Sequence, residues 1–564
     1  FENMKIINFV YYLLYPFLKL KIKDRIIFFS ITFFSIFVIF VDIATLSLLT
    51  SVFSGESIKI ISKLNSFLKN IYNTSGLTIS FFHFQILLIS ITLILRNIFF
   101  IFQDFLVKSF VFNHYNKNSK NLFVLYASSE FIKFYKQGID YYIKNLNKET
   151  WYAYVGILYG LLYILIDFIY FLIIVFSGLY LISIENISNI FLFILLFFSL
   201  VSVLLIKIKK KGADRMNYEQ KYFKDTLNIL RSYLEIKVYK KIQFFTDSYS
   251  KYLKKFSKAL IFQGVANLAP KALVEILAAV TLVYYLIYNN LALNFELLTL
   301  VGFILFRLGP VISRIIQNIS LIFFYYPSTK ILDKEFKEYS KKREVRLNFK
   351  NESSIQKLSI NKASFSFGKN KILNNFNYKF IRNNVYGLYG ESGKGKSTFL
   401  MILSGLIKLD KGNIKINNTS YGNKNFYLEN KFGFMSQYNV LLDDSLINTI
   451  FLENKVSKEK ILKAKYYLTK FKLKKLNKFL KEDKNQNYSL NRILSGGERQ
   501  RLSIIRTILL GGDILFFDEP TSSLDFENEK IVMKEIQKLK KDKIIIVSTH
   551  KKGLKRYFDN IIHL

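Results

Sequence analysis

Six stretches in the first 325 residues, at about 26–53, 77–105, 154–182, 187–206, 267–288 and 297–325, are apolar for twenty residues or more. A chain in hydrocarbon must satisfy its own N–H and C=O groups, and a run of that length crosses about 30 Å as a helix. The sequence therefore predicts six spans. Basic clusters fix their orientation: Lys19, Lys21, Lys23 and Arg25 precede the first span, and Lys207, Lys209, Lys210 and Lys211 close the fourth, so both ends lie on the cytoplasmic side.

The remainder of this region reads as satellites of the spans. Residues 1–25 place Ile6, Val10, Leu13, Leu14, Phe17 and Leu18 on one stripe, as in an interfacial elbow helix, and no cleavable-signal pattern is visible there. Within 54–76, helical periodicity predicts an outer amphipathic helix at 56–72. The polar stretches 106–152 and 207–262 are long cytoplasmic excursions, reversing near 134–140 and 229–240. After the last span, 330–351 is charged and reads as a linker into a soluble domain over 352–564.

Arg96, Lys271, Glu275, Arg307 and Arg314 lie inside otherwise apolar spans, where a charge must face a partner or water. One reading is a cationic cavity for the phosphate or pyrophosphate of an anionic substrate, built from Arg96, Lys271, Arg307 and Arg314. The other is internal pairing, for example Lys271 with Glu275, with Asp42 and Asp167 as further acids. The residues alone leave both open.

The soluble domain carries Gly390-x-x-x-x-Gly395-Lys396-Ser397 between an apolar strand and a helical pattern. Glycines there let backbone N–H groups converge on phosphate oxygens, the lysine reaches the β- and γ-phosphates, and the serine hydroxyl suits Mg²⁺. Phe367 ends a strand, where it stacks on adenine or is an ordinary core aromatic. Gln437 follows another strand and can reach Mg²⁺ and the attacking water. Ser495, Gly496, Gly497 and Glu498 open a helix as a second anion cradle. The apolar strand 514–517 ends in Asp518, suited to Mg²⁺, and Glu519, suited to take a proton from water. Asp525 follows, and His550 ends a further strand, placed to bond the γ-phosphate.

From about residue 358 onward the chain resembles the nucleotide-binding domain of ABC transporters. The resemblance implies a Walker A motif of Gly390, Glu391, Ser392, Gly393, Lys394, Gly395, Lys396, Ser397 and Thr398, with Gln437 in the Q-loop. It further implies a signature at 494–500, a Walker B strand at 514–518, catalytic Glu519, a D-loop with Asp525 and an H-loop His550. ATP and Mg²⁺ are the implied cofactors. The fold implied is multidomain: a six-helix α-helical transmembrane domain of the ABC exporter type, then an α/β P-loop nucleotide-binding domain. With one phosphate loop and one signature per chain, a type IV half-transporter of this kind works as a homodimer in the bacterial inner membrane, its nucleotide-binding domain in the cytoplasm. It also implies coupling helices at the two cytoplasmic reversals. One segment departs from the pattern: 483–492 replaces the glutamate- and glycine-rich element many exporters carry before the signature.

Among exporters the chain is similar to bacterial lipid-linked oligosaccharide flippases, through the outer helix, Leu95-Arg96-Asn97, Pro270-Lys271 with Glu275, and Phe306-Arg307-Leu308-Gly309-Pro310 with Arg314. That similarity implies membrane lipids and a lipid-linked glycan as partners, with a peptide, a drug or another lipid as the alternative cargo. The net charge of +40 is spread as lysines through loops and, with six spans ahead of the domain, does not point to nucleic acid. The absence of cysteine excludes disulfides and thiolate metal sites.

Overall fold

The computed structural model describes residues 2–53, 59–74, 79–181, 187–288, 295–340, 345–346, 354–368, 370–422, 426–427, 431–437, 440–442, 444–453, 455–480 and 490–564. Two compact units emerge, Phe1–Ala127 with Gln137–Lys341, and Ser128–Lys136 with Lys342–Leu564.

The first unit is helical throughout. Helices α1 (Glu2–Leu18), α2 (Ile22–Phe53), α3 (Lys59–Thr74) and α4 (Phe81–Ala127) are followed by the short α5 (Phe131–Gln137) and α6 (Ile139–Lys144). Two π-helical segments, Asn145–Glu149 and Tyr152–Leu158, lead into α7 (Tyr159–Leu181). Helix α8 (Ile187–Arg231), α9 (Tyr233–Tyr239), α10 (Ile242–Tyr288) and α11 (Phe295–Ser340) complete it. Each apolar stretch of the sequence lies in one of α2, α4, α7, α8, α10 and α11. At 1.5 Å per residue, the 47 residues of α4 and of α10 extend about 70 Å, more than twice the hydrocarbon thickness. The two excursions are thus carried largely by continuations of the spanning helices, with the short α5, α6 and α9 at their reversals. Among the described residues, four helical segments are long and apolar enough to cross a membrane: Ile22–Thr45, Phe81–Ala127, Ile139–Val175 and Leu308–Ser340.

Helix pairs α8–α10, α7–α11 and α2–α4 form the three most extensive helix contacts. Gly212 on α8 sets one close approach: a Cβ there would stand 2.3 Å from the Phe324 carbonyl oxygen of α11. Small residues at such crossings let backbones meet without a water-driven hydrophobic force. Outward, Phe33, Phe40, Ile101 and Ile206 are exposed, an apolar surface suited to lipid.

The last span carries the helix-breaking pair Gly309-Pro310, yet α11 runs through both Pro310 and Pro327. Neighbouring helices and side chains restore the bonding that a proline removes, as spanning helices allow. The linker expected over 330–351 begins later, since α11 continues to Ser340. Leu332 and Tyr339 are fully buried, and Glu335 accepts hydrogen bonds from Tyr126 and Tyr141, both at 2.8 Å. Lys330, Lys334 and Lys337 are exposed, while Asp333 and Glu335 turn inward with Leu332 and Tyr339.

The outer amphipathic helix is present as α3, with Leu68 packed among Leu48 and Ile89. Residues 182–186, where the sequence places a very short outer turn at Glu185 and Asn186 between the third and fourth spans, and residues 483–489 of the departing segment lie outside the described residues.

In the second unit a parallel sheet of order β11-β4-β10-β9-β8 forms the centre: β4 (Asn384–Tyr389), β8 (Phe432–Met435), β9 (Ile514–Asp518), β10 (Ile544–Thr549) and β11 (Asn560–His563). An antiparallel sheet of order β3-β2-β5-β6 joins β2 (Lys357–Phe367), β3 (Asn370–Ile381), β5 (Lys411–Ile416) and β6 (Thr419–Gly422), while β1 (Val345–Arg346) pairs with β7 (Phe426–Tyr427). Strands β9 and β10 are buried along their whole length, which explains their unbroken apolar sequence. Helices α12 (Lys396–Leu403), α13 (Leu446–Phe451), α14 (Lys458–Lys470), α15 (Leu490–Ile493), α16 (Gly496–Leu510) and α17 (Phe526–Lys538) surround the sheets. Phe131 and Ile132 of α5 pack on this unit's core, so the first cytoplasmic reversal is built into the soluble domain. The second reversal is α9, on which Tyr233, Leu234, Val238 and Tyr239 are all exposed.

Candidate active site

Parallel register determines which residues meet. Thr549 lies opposite Tyr389, Ser548 opposite Asp518, and Phe517 opposite Met435. Strands β4, β9, β10 and β8 therefore end together, and the loops that follow them share one edge of the sheet, where α/β sheets bind ligands. Gly390, Glu519, His550 and Gln437 all come just after these strand ends.

In the phosphate loop, Gly393 and Gly395 have φ of 84° and 89°, a region that favours glycine. A Cβ on Gly395 would also lie 2.4 Å from Cγ2 of Ile372. The Lys396 ammonium donates to the carbonyls of Gly390 at 2.7 Å and Glu391 at 3.0 Å, folding back across the loop it serves. Ser397 and Thr398 follow in the first turn of α12, whose N-terminus faces the loop. Ser392 and Lys394 are exposed within the loop.

Glu519 is the centre of the candidate catalytic group. Its carboxylate accepts from Gln437 Nε2 at 3.3 Å and stands 3.2 Å from His550 Nδ1. Its own backbone is left-handed, φ 50°, a conformation that costs a non-glycine residue about 1–3 kcal/mol and collects at functional sites. Sequence reasoning missed the residue that holds this corner: the Ser548 hydroxyl donates to Asp518 at 2.6 Å and accepts from the Glu519 amide at 3.0 Å. Its position two before His550 on a buried strand was the available signal. Ser548→Ala removes both bonds, and we expect ATP turnover to fall about tenfold with nucleotide affinity little changed, measured by phosphate release beside equilibrium binding. Equal turnover would assign Ser548 a packing role only.

Gln500 joins the signature helix to the same corner. Its amide nitrogen donates to the Glu519 carbonyl and to Ser522 Oγ, each at 3.0 Å, and its carbonyl accepts from the Ser523 amide. Ser495 caps α16 in a reciprocal box with Glu498. Desolvation pulls the Glu498 pKa upward, but Lys475 at 2.6 Å and the Ser495 amide outweigh it and hold the carboxyl below its ordinary value. Gly496 and Gly497 are the first residues of that helix. Asp525 caps α17 through the Asn528 amide, which keeps its pKa low. Among the described residues no hydrogen bond links Ser495 or Glu498 to the phosphate loop. Phe367 is 54% exposed at the end of β2, so it is not a core aromatic.

Ser397, Gln437 and Asp518 offer a hydroxyl, an amide and a carboxylate, the oxygen donors that suit Mg²⁺. Among the described residues no cluster of three His, Cys, Asp or Glu forms a separate metal site.

In the first unit a cavity of about 310 Å³ lies among α2, α4, α7 and α11. Arg96 and Arg314 both line it, and each is paired. Arg96 Nε is 2.9 Å from Asp42, which also accepts from Tyr170. Arg314 grips Asp167 through Nε at 3.1 and 3.2 Å and Nη2 at 2.8 Å. Asp104 lines the cavity too, accepting from Tyr163 at 2.6 Å and pairing with Lys108 at 2.6 Å. The surplus of positive charge expected from the spans is therefore absent here, because acids from α2, α4 and α7 face the arginines. Lys271 and Glu275 are exposed and 3.9 Å apart, outside this cavity. Arg307 is on α11 with its side chain outside the described set.

The fold and this site together define the class: a helical membrane unit joined to an ABC-type ATP-binding domain. Residues 373–522 match the sequence model of the ABC transporter family. Across 94% of this chain and 92% of the other, the fold follows that of a bacterial Atm1-family ABC exporter with ATP bound, at a TM-score of 0.69 and 16% identity. Curated relatives match over shorter ranges. The alpha-hemolysin translocation ATP-binding protein HlyB of Escherichia coli O157:H7 is 33% identical over 207 residues, 35% of this chain and 28% of that protein. An ATP-dependent lipid A-core flippase of Francisella tularensis is 32% identical over 216 residues, 36% and 34%. A probable ABC transporter ATP-binding/permease protein of Haemophilus influenzae is 28% identical over 212 residues, 37% and 38%. The chain spans about a third of the length of these relatives.

Proposed function

We propose that two copies of this chain form an ATP-driven exporter or flippase. It moves a lipid-linked anionic substrate, a polyprenyl-diphosphate oligosaccharide or similar glycolipid, across the bacterial inner membrane by alternating access. The observation that carries this reading is the convergence of Gln437, Glu519 and His550 beside a complete phosphate loop, in a chain of exporter fold. Ser397, Asp518 and Gln437 would hold Mg²⁺, which when bound would supply neutralisation of charge on the phosphates. Lys396 and the loop amides bind the triphosphate, Phe367 stacks on the base, Glu519 takes the proton of the attacking water, and Gln437 and His550 orient Glu519. Ser495, Gly496 and Gly497 belong across the nucleotide from the phosphate loop of the other copy, so ATP closes the pair and hydrolysis opens it. The exposed apolar side of α9 and the embedded α5 carry that motion to the membrane helices.

The chain contains no cysteine, which makes the dimer test direct. Lys394→Cys in one copy and Ser495→Cys in the other should give an ATP-promoted covalent dimer on mild oxidation, with none when either cysteine is alone. Monomer under every nucleotide condition would defeat the paired site. A second cargo, peptide, drug or other lipid, is favoured by the pairing of Arg96 and Arg314 with aspartates. In proteoliposomes a lipid-linked glycan should stimulate ATP turnover where peptides do not; the reverse would favour the second cargo.

A further inference from the structure

The cavity among α2, α4, α7 and α11 has a chemistry that the phosphate reading does not use. Of its ionisable lining residues, Asp42, Asp104 and Asp167 stand against Arg96 and Arg314. Lys108, paired to Asp104 from outside the lining, brings the group to neutrality. A diphosphate entering here would find each arginine already compensated by a carboxylate behind it, and like-charge repulsion from the same carboxylates in a low-dielectric setting. Asp42 and Asp167 have side chains only 2% and 3% exposed, whereas Arg96 and Arg314 are 28% and 41% exposed. The acids thus back the arginines, which are the more exposed members of each pair, with Arg96 Nη1 also donating to Asn97 Oδ1 at 3.3 Å.

A second observation points to an occupant. Gln103 lines the cavity, is 95% buried, and its Nε2 has no acceptor among the described residues. A buried donor left unpaired is costly, and an oxygen acceptor supplied by a ligand relieves it. Donors from Arg96, Arg314 and Gln103 share the lining with Asp104, the most exposed of the three carboxylates, while Phe100, Tyr163 and Tyr170 add ring surface. Hydroxyl groups both donate and accept, and a sugar ring has an apolar face for an aromatic wall. A volume of about 310 Å³ is at the low end of the roughly 300–1,000 Å³ found for small-molecule sites.

We propose that this cavity is a subsite for an uncharged polyhydroxylated group, a sugar ring of a glycolipid cargo, and not for its phosphate. The proposal rests on the glycolipid reading above and assigns the sugar to this place.

The test uses the full chain in lipid nanodiscs and three probes: monoglucosyl-diacylglycerol, diacylglycerol alone, and sugar-free undecaprenyl diphosphate. Equilibrium binding and stimulation of ATP turnover are read for each. Wild type should respond to the glucolipid at least about tenfold more sensitively than to diacylglycerol. Gln103→Leu, which removes the unpaired donor while keeping an apolar volume, should raise the half-saturating glucolipid concentration about tenfold and leave the diphosphate response in place. Asp167→Asn should weaken the glucolipid and strengthen the diphosphate. The subsite is overturned if the sugar-free diphosphate is preferred and Gln103→Leu has no effect on the glucolipid, or if diacylglycerol alone matches the glucolipid. Should no lipid probe act while a peptide stimulates turnover, the glycolipid reading falls and this assignment falls with it.

Discussion

Glu519→Gln should reduce steady-state ATP hydrolysis by at least about a hundredfold while ATP still binds, because proton transfer by a positioned base is worth about 10²–10⁴ in rate. The substitution keeps the shape of the side chain and removes its basicity. Gln437 and His550 each contact a different oxygen of the Glu519 carboxylate, so the base is oriented from two directions. The peptide is held as well, through Ser548 on the amide and Gln500 on the carbonyl. Glu519→Gln keeps the bonds to the peptide, the side-chain shape and one of the two oxygen acceptors, so the change falls chiefly on the chemical step rather than on the geometry. Binding should remain because the phosphate loop, Lys396 and Asp518 are untouched, and the ATP-bound dimer should accumulate. Single-turnover phosphate release, read beside nucleotide binding and the cross-linked fraction, separates the outcomes. Undiminished turnover would remove Glu519 from the role of base, and lost binding would place it in nucleotide recognition.

The grouping of Gly390, Gln437, Glu519 and His550 was legible in the sequence because each comes just after an apolar strand. Local order and tertiary proximity coincide when parallel strands end in register, as β4, β8, β9 and β10 do. What was not legible depends on partners far apart in sequence. Arg314 meets Asp167 across 147 positions, and Asp42 meets Tyr170 across 128, so counting charges span by span suggested a cationic chamber. Asp104, near the end of the second apolar stretch, went unremarked for the same reason. The segment after Pro327 was misjudged because its charges dominate its composition. Only the burial of Leu332, Asp333, Glu335 and Tyr339 shows that the helix carries on. The π-helical turns before α7 leave no mark in composition, since a single inserted residue shifts only the phase of the apolar repeat.

Those π-helical turns adjoin the site of the largest stability effect. Arg215 on α8 is fully buried, with Nη1 2.7 Å from Glu219 and Nη2 3.2 Å from Ser328 Oγ of α11. Its guanidinium lies 4.1 Å from the Tyr152 ring centre, and the Tyr152 hydroxyl donates to Glu219 at 2.9 Å. Lys144 and Glu149, also buried, form a neighbouring pair at 2.8 Å. Arg215→Ala strands the Glu219 carboxylate, and breaking such a pair from one side costs about 3–5 kcal/mol. The double substitution Arg215→Met with Glu219→Leu removes both charges together and should recover most of that loss, since apolar replacement of a buried pair is often neutral or better. Burial already raises the Glu219 pKa, against the pull of Arg215, and without the arginine it rises further. A carboxyl raised in the folded state is penalised as pH climbs above its unfolded value and unpenalised below it. The deficit of Arg215→Ala should therefore shrink as pH is lowered toward 4.5, the ordinary glutamate value, and the double variant should show no such trend. Thermal unfolding in detergent across that range distinguishes the cases: a pH-independent deficit would mean that lost packing on Tyr152, rather than a stranded charge, is what the arginine prevents.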